Sequence, residues 1–236
     1  MDLTRNVNAV RDKIAAAAIA AGRDPGSVEL CAATKVQSDD VIRSAIAAGI
    51  RLCGENRVQE LAAHLEGDAY AGARVHFIGH LQTNKVKQVV GKVELIHSVD
   101  SERLLRAIDS QADRLGLVQD ILLEVNVAGE ESKGGVVPER LPALVEMALG
   151  CPHVRLRGLM AIPPVSTVSG GNRKYFAQMR HFLVDIIGKI ADNHNTVDCL
   201  SMGMSGDYED AVAEGATLVR VGTAIFGPRP PVSPAH

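Results

Sequence analysis

The sequence predicts an α/β protein folded as one (β/α)8 TIM barrel, and three observations carry that expectation. Short runs rich in Val, Ile and Leu alternate with longer helical patterns along nearly the whole chain. The runs are almost continuously apolar, as in parallel strands covered on both faces. Eight of them occur, which is the number that closes a parallel barrel. A doubly wound open sheet usually has fewer strands and often a Gly-rich first crossover, and no GxGxxG follows the first run here.

The chain opens with an Ala-rich helix within residues 1–24, centred on "RDKIAAAAIAAG". It reads as a packing element, with a plug for the barrel bottom or a partner surface as alternatives. The first strand, "VELCAAT" (28–34), leads into the helix "DDVIRSAIAAG" (39–49), and the second, "IRLCGE" (50–55), into "RVQELAAHLEG" (57–67). The third, "VHFIGH" (75–80), precedes "NKVKQVVGK" (84–92), and the fourth, "ELIHSV" (94–99), precedes "SERLLRAIDSQADRLG" (101–116). "QDILLEVNV" (119–127) is followed by "PERLPALVEMALG" (138–150), and "VRLRGLMAI" (154–162) by "RKYFAQMRHFLVDIIGKIADN" (173–193). "CLSMGM" (199–204) then precedes "DYEDAVAEG" (207–215), and "TLVRVGTAIFG" (217–227) closes the series as the eighth strand.

No segment reads as a linker, so residues 1–236 form one domain, and the Pro-rich tail 228–236 is too short to fold alone. The irregular stretch 161–174, rich in Gly, Ser and Pro, reads as a mobile flap after the sixth strand.

With 46% hydrophobic and 22% charged residues the chain has the balance of a soluble globular protein. A net charge of -3 without any basic run excludes an electrostatic footprint for nucleic acid or an anionic membrane. Arg5, Arg11, Asp12 and Lys13 interrupt the first helix, which is therefore neither a signal peptide nor a membrane span. Cys31, Cys53, Cys151 and Cys199 lack CxxC spacing and read as small buried hydrophobes of a reduced, cytoplasmic protein.

In such a barrel the chemistry gathers where strands end. The first strand ends on Lys35, an ammonium that must be paired, solvated or placed for chemistry. The second delivers Glu55 and Asn56, the third His80, the fifth Asn126 and a loop with Lys133, and the sixth Met160. No metal set emerges, because His76 and His80 are about 13 Å apart along one strand. The seventh and eighth strands lead into "SMGMSGDYEDA" and "VRVGTAIFG". Ser205, Gly222 and Thr223 there have the hydroxyls and the backbone access that a phosphate needs, and Arg220, on the same strand face as Gly222, can reach the phosphate or a ring attached to it. Met160 and Met204 read as packing around this pocket, and His80, Glu55 and Lys133 as its surroundings or its rim. A lysine for an aldehyde and a cradle for a phosphate suit pyridoxal 5'-phosphate.

Six segments in order, "GENRVQE", "FIGHLQTNK", "VNVAGEESKGG", "GLMAIPP", "SMGMSGDYEDAV" and "VRVGTAIFG", resemble the motifs of the pyridoxal phosphate homeostasis protein family. That family consists of single-barrel relatives of the cofactor-binding domain of fold-type III alanine racemases. The resemblance implies pyridoxal 5'-phosphate as cofactor and Lys35 as its Schiff base (aldimine) lysine. It places Asn56 near the ring, and Ser201, Ser205, Gly222 and Thr223 around the phosphate with Arg220 close by. Family members often carry a second lysine two residues after the first, and here that position is Gln37.

The implied role is intracellular cofactor homeostasis and amino-acid and keto-acid balance in a monomeric protein, with pyridoxal-dependent apo-enzymes as recipients. A small amino-acid racemase is the alternative. It needs an acid/base residue on each face of the substrate, and none of Tyr70, Tyr175 and Tyr208 ends a strand.

Overall fold

The computed structural model describes residues 2–130, 133–190 and 197–228. Eight parallel strands pair in sequence order, and the last pairs with the first to close the barrel. They are β1 (Glu29–Ala33), β2 (Leu52–Glu55), β3 (Arg74–Phe77), β4 (Leu95–Val99), β5 (Gln119–Glu124), β6 (Val154–Met160), β7 (Cys199–Met204) and β8 (Leu218–Val221). The helices are α1 (Leu3–Ala20), α2 (Asp39–Ala47), α3 (Val58–Glu66), α4 (Glu102–Leu115), α5 (Leu141–Leu149), α6 (Arg173–Lys189), α7 (Tyr208–Ala213) and α8 (Thr223–Phe226).

The main core lies between the outer faces of the strands and the helices, where Phe77, Ile96, Leu105, Ile108, Ile121 and Phe176 are fully buried. A smaller core fills the barrel itself: Cys31, Leu52, Ile78 and Leu218 on one side, Leu95, Leu122 and Met160 on the other. The continuous apolar runs follow from these two layers, since each strand has a buried residue on both faces. At the N-terminal ends of the strands Arg74 pairs with Glu29 and Glu94. Asp120 there receives Arg155 at 2.6 Å and Arg157 at 2.9 Å. These charges form the barrel floor.

The single-turn helix α8 is too short to cover the outside of β8, and α1 takes its place. α1 buries Val7, Val10, Ile14 and Ala18, packs on α7, α8 and α2, and ties Asn6 Nδ2 to the carbonyl of Ile225 at 2.8 Å. Burial of each Val or Ile contributes about 1.5–3 kcal/mol. The first helix is therefore part of the outer layer and not a plug of the barrel bottom.

Several sequence expectations need correction. "NKVKQVVGK" forms a 3-10 helix, Thr83–Gln88, and not an α-helix. Val86 is the buried residue of this helix, and Val89 and Val90, buried just past its end, both donate their N–H groups to the Val86 carbonyl at 3.0 Å, which closes the segment as a tight turn. The eighth strand stops at Val221, and "TAIF" turns into α8, which buries Ile225 and Phe226. Of the four cysteines, Cys31 and Cys53 are buried, whereas Cys151 and Cys199 are partly exposed. The far end of the 161–174 stretch is tied down, because the Gly170 N–H donates to Asp210 and Asn172 donates to both Asp207 and the carbonyl of Pro164. The end of the sixth helical pattern, 191–193, and most of the tail, 229–236, lie outside the described residues.

Candidate functional site

Closure of the barrel makes β7, β8, β1 and β2 four consecutive neighbours. Cys31 on β1 lies opposite Arg220 on β8, Ala33 lies opposite Gly54 on β2, and Met204 on β7 lies opposite Arg220. The register therefore gathers Lys35, Asn56, Ser205, Gly222 and Thr223 on one half of the C-terminal rim, with Ser201 and Arg220 inside the barrel beneath them. Met204, half-buried, ends β7 at the same rim. His80 stands apart on the third strand's loop with its side chain 65% exposed, 3.9 Å from Asp100. Met160 is buried among Leu95 and Leu122 and is a packing residue of the interior.

The Ser205 hydroxyl joins the loops that follow β7 and β8 by accepting from the N–H groups of Gly222, at 3.1 Å, and Ala224, at 3.4 Å. Asp207 closes the same loop by accepting from the Met204 N–H at 2.7 Å. Thr223 is exposed at the start of α8. Lys133 bridges two other loops of the rim: its ammonium donates to the carbonyl of Pro163 at 3.0 Å and lies 3.4 Å from Glu130.

Asn56 follows the fully buried Glu55, whose carboxylate accepts the Asn56 N–H at 2.7 Å. Its own side-chain Oδ1 is buried without a hydrogen-bond partner. Such an atom costs about 1–3 kcal/mol unless a donor arrives. The backbone of Asn56 passes so near Gly79 that a Cβ at residue 79 would lie 2.0 Å from the Asn56 carbonyl oxygen, so only glycine fits there.

Arg220 is 4% exposed, and its guanidinium donates to the hydroxyl of Ser201 and, at 2.9 Å, to the carbonyl of Ala161. A buried cation calls for an anionic partner, yet among the described residues no carboxylate forms an ion pair with it. Burial accordingly lowers its pKa, while Cys31, Glu124 and Asp207 act on it in the opposite sense.

Two interior groups were not singled out from the sequence. His97 lies between Ser201, 3.0 Å from its Nδ1, and His76, 3.0 Å from its Nε2, and His76 Nε2 is 3.6 Å from Glu94. Donation can run one way from Arg220 through Ser201, His97 and His76 toward Glu94, with each ring neutral. Burial keeps both histidines below their ordinary pKa, that of His97 far below. The second group, Glu124, ends β5 opposite Met160, which in turn lies opposite Ser201. A polar residue interrupting each of the apolar runs "ELIHSV" and "DILLEV" was the available signal.

Burial, and next the charge of Asp100, push Glu124 up to about 7, against the pull of Arg220. A carboxyl whose folded pKa is raised contributes stability below its unfolded pKa, and that contribution is lost as the pH rises through about 7. In cofactor-free protein, Glu124→Gln should therefore gain on the parent between pH 5 and pH 8 by roughly 3 kcal/mol, as read from urea unfolding at the two pH values. Parallel pH profiles would show that the carboxyl is solvated.

The comparisons with known proteins agree with this fold. The family model described as alanine racemase, N-terminal domain, matches residues 3–230. The chain is 43% identical to the pyridoxal phosphate homeostasis protein of Aquifex aeolicus, over 97% of this chain and 99% of that one. It is 40% identical to the protein of the same name from Pseudomonas aeruginosa, over 99% and 98%. Among solved structures, PipY of Synechococcus elongatus with PLP bound matches with a TM-score of 0.79 and 34% identity, over 96% of this chain and all of that one. An alanine racemase of Clostridium difficile, at 14% identity and a TM-score of 0.75, shares the fold, and this chain covers 58% of it. Among the described residues no helix is long and apolar enough to cross a membrane. By the full-length similarity and the shared barrel, the chain belongs to the pyridoxal phosphate homeostasis protein family.

Proposed function

We propose that the chain binds pyridoxal 5'-phosphate covalently through Lys35 and acts in intracellular cofactor homeostasis and amino-acid and keto-acid balance, without efficient turnover of its own. The observation that carries this reading is the convergence of a lysine, a buried arginine and two hydroxyl- and glycine-bearing loops on four adjacent strands. When bound, the cofactor supplies an aldehyde that a primary amine captures reversibly.

The residues present fit that group. Lys35 supplies the amine, and Ser205, Gly222 and Thr223 surround the phosphate. Arg220 offers a cation that lacks an ion-pair partner among the described residues, and Ser201 with His97 fixes its orientation. The unpartnered Oδ1 of Asn56 awaits a donor. Acid/base chemistry on a bound amino acid would need a second group opposite the lysine. Tyr70 donates its hydroxyl to Glu55 and is buried, as is Tyr208, so neither is available at the rim. In this reading the protein is a cytoplasmic monomer that passes the cofactor to pyridoxal-dependent apo-enzymes.

Cofactor retention tests the reading. Arg220→Gln and Thr223→Val should each release pyridoxal 5'-phosphate faster on dialysis and weaken its affinity about ten- to a hundredfold, the loss of one charge-assisted contact. Both variants should still take up the cofactor at high concentration. Unchanged retention in both would place the phosphate elsewhere.

A further inference from the structure

The lysine at the end of β1 sits in a turn that its own sequence does not favour. Residues 34 to 37 close with the Gln37 N–H donating to the Thr34 carbonyl at 3.0 Å. Val36, the third residue of this turn, has φ of 59°, the left-handed region that glycine and asparagine occupy and a β-branched residue avoids. Val36 is 56% exposed, so burial of its side chain does not hold it there. Something else must hold the backbone.

Two carboxylates of the β2–α3 segment do so, one on each side of Lys35. On the C-terminal side, Glu60 Oε2 accepts the Val36 N–H at 2.9 Å, and Arg57 holds the other oxygen of Glu60 at 3.0 Å. On the N-terminal side, Glu55 Oε2 accepts from the Thr34 hydroxyl at 3.3 Å and from the Tyr70 hydroxyl at 3.2 Å. The other oxygen of Glu55 holds the Asn56 N–H. Thr34 and Glu55 are both fully buried, so this anchor is fixed by packing, whereas Glu60 stands at the rim with its side chain 22% exposed.

We propose that Glu60, with Glu55 behind it, is a positioning residue for Lys35: its carboxylate holds the Val36 N–H and so keeps the Lys35 turn in a backbone conformation that the chain would otherwise leave. The inference rests on Lys35 being the cofactor-bearing lysine. Glu60 reacts with nothing itself. It fixes the backbone from which the lysine extends, and Glu55 ties that backbone to Asn56, so that the amine and the asparagine share one frame. Left-handed backbone at a non-glycine residue is unfavourable enough that, without the carboxylate, the turn should open and the competent conformation be depleted about tenfold.

The experiment follows four variants: Glu60→Ala, Glu60→Gln, Val36→Gly and the double variant Glu60→Ala/Val36→Gly. In cofactor-free protein, hydrogen exchange of the residue 36 amide should accelerate in Glu60→Ala relative to the parent, a readout independent of any cofactor. The rate of pyridoxal 5'-phosphate capture, followed by visible absorption, should fall about tenfold in Glu60→Ala. It should stay near parental in Glu60→Gln, whose amide oxygen still accepts the N–H, and in Val36→Gly, whose glycine adopts the turn unaided. Glycine should also restore capture in the double variant, which a merely structural loss at Glu60 would not allow. Capture by Glu60→Ala at the parental rate, or a double variant no faster than the single one, would overturn the proposal. Borohydride labelling of the parent separates this from failure of the underlying reading: if Lys35 is not labelled, the reading of the site fails whatever the exchange data show.

Discussion

Exchange of Lys35 for alanine should abolish the visible absorption band of the lysine-linked cofactor and leave the barrel folded. Lys35 lies past the end of β1, half-buried in a turn, outside both hydrophobic cores. Its side chain fills neither core, and unfolding stability should stay within about 1 kcal/mol of the parent. The loops of Ser205, Gly222 and Thr223 remain, so the variant should still bind pyridoxal 5'-phosphate, more weakly and without the covalent link. Equilibrium dialysis reads the first property and the visible spectrum the second. A band that persists in Lys35→Ala would move the chemistry to another lysine.

The largest effect on stability should come from Gly158→Ala. β5 and β6 shift register between Ile121, opposite Leu156, and Leu122, opposite Gly158, so that Arg157 is the extra residue of a bulge. Gly158 follows it with φ of 149°, a backbone that L side chains rarely adopt. A Cβ there would stand 1.8 Å from the carbonyl oxygen of Cys199 on β7. That obstacle is backbone of the neighbouring strand, so only separation of β6 from β7 could relieve it, and Met160 and Ser201 lie opposite each other two residues further on. The expected loss exceeds about 4 kcal/mol, a large fraction of the stability of a natural domain. Poor soluble expression or a low unfolding midpoint would register it, and a melt within about 1 kcal/mol of the parent would show that the two strands can part cheaply.

The barrel was legible in the sequence because the signal is local: a parallel strand covered on both faces announces itself as an apolar run, and β7 matches its run residue for residue. Where apolar residues serve another element the same signal misleads, as with Ile225 and Phe226, buried by a helical turn and read as strand. The site was legible only in part. Lys35, Arg220 and the serine and glycine loops stand out because their residue types are unusual at strand ends. The contacts that hold them do not, because they join distant positions: Ser201 meets His97 across 104 residues, and Val36 meets Glu60 across 24. The left-handed backbone at Val36 had no sequence mark at all, since valine is among the last residues that turn chemistry would place there.

Borohydride reduction of the parent saturated with pyridoxal 5'-phosphate, followed by peptide mass mapping, tests most directly whether the lysine that ends β1 carries the cofactor. A reduced adduct on Lys35 and on no other lysine is the expected result. An adduct on Lys85 or Lys133, with Lys35 unmodified, would contradict it and leave the lysine of "CAATK" as a strand end meeting water.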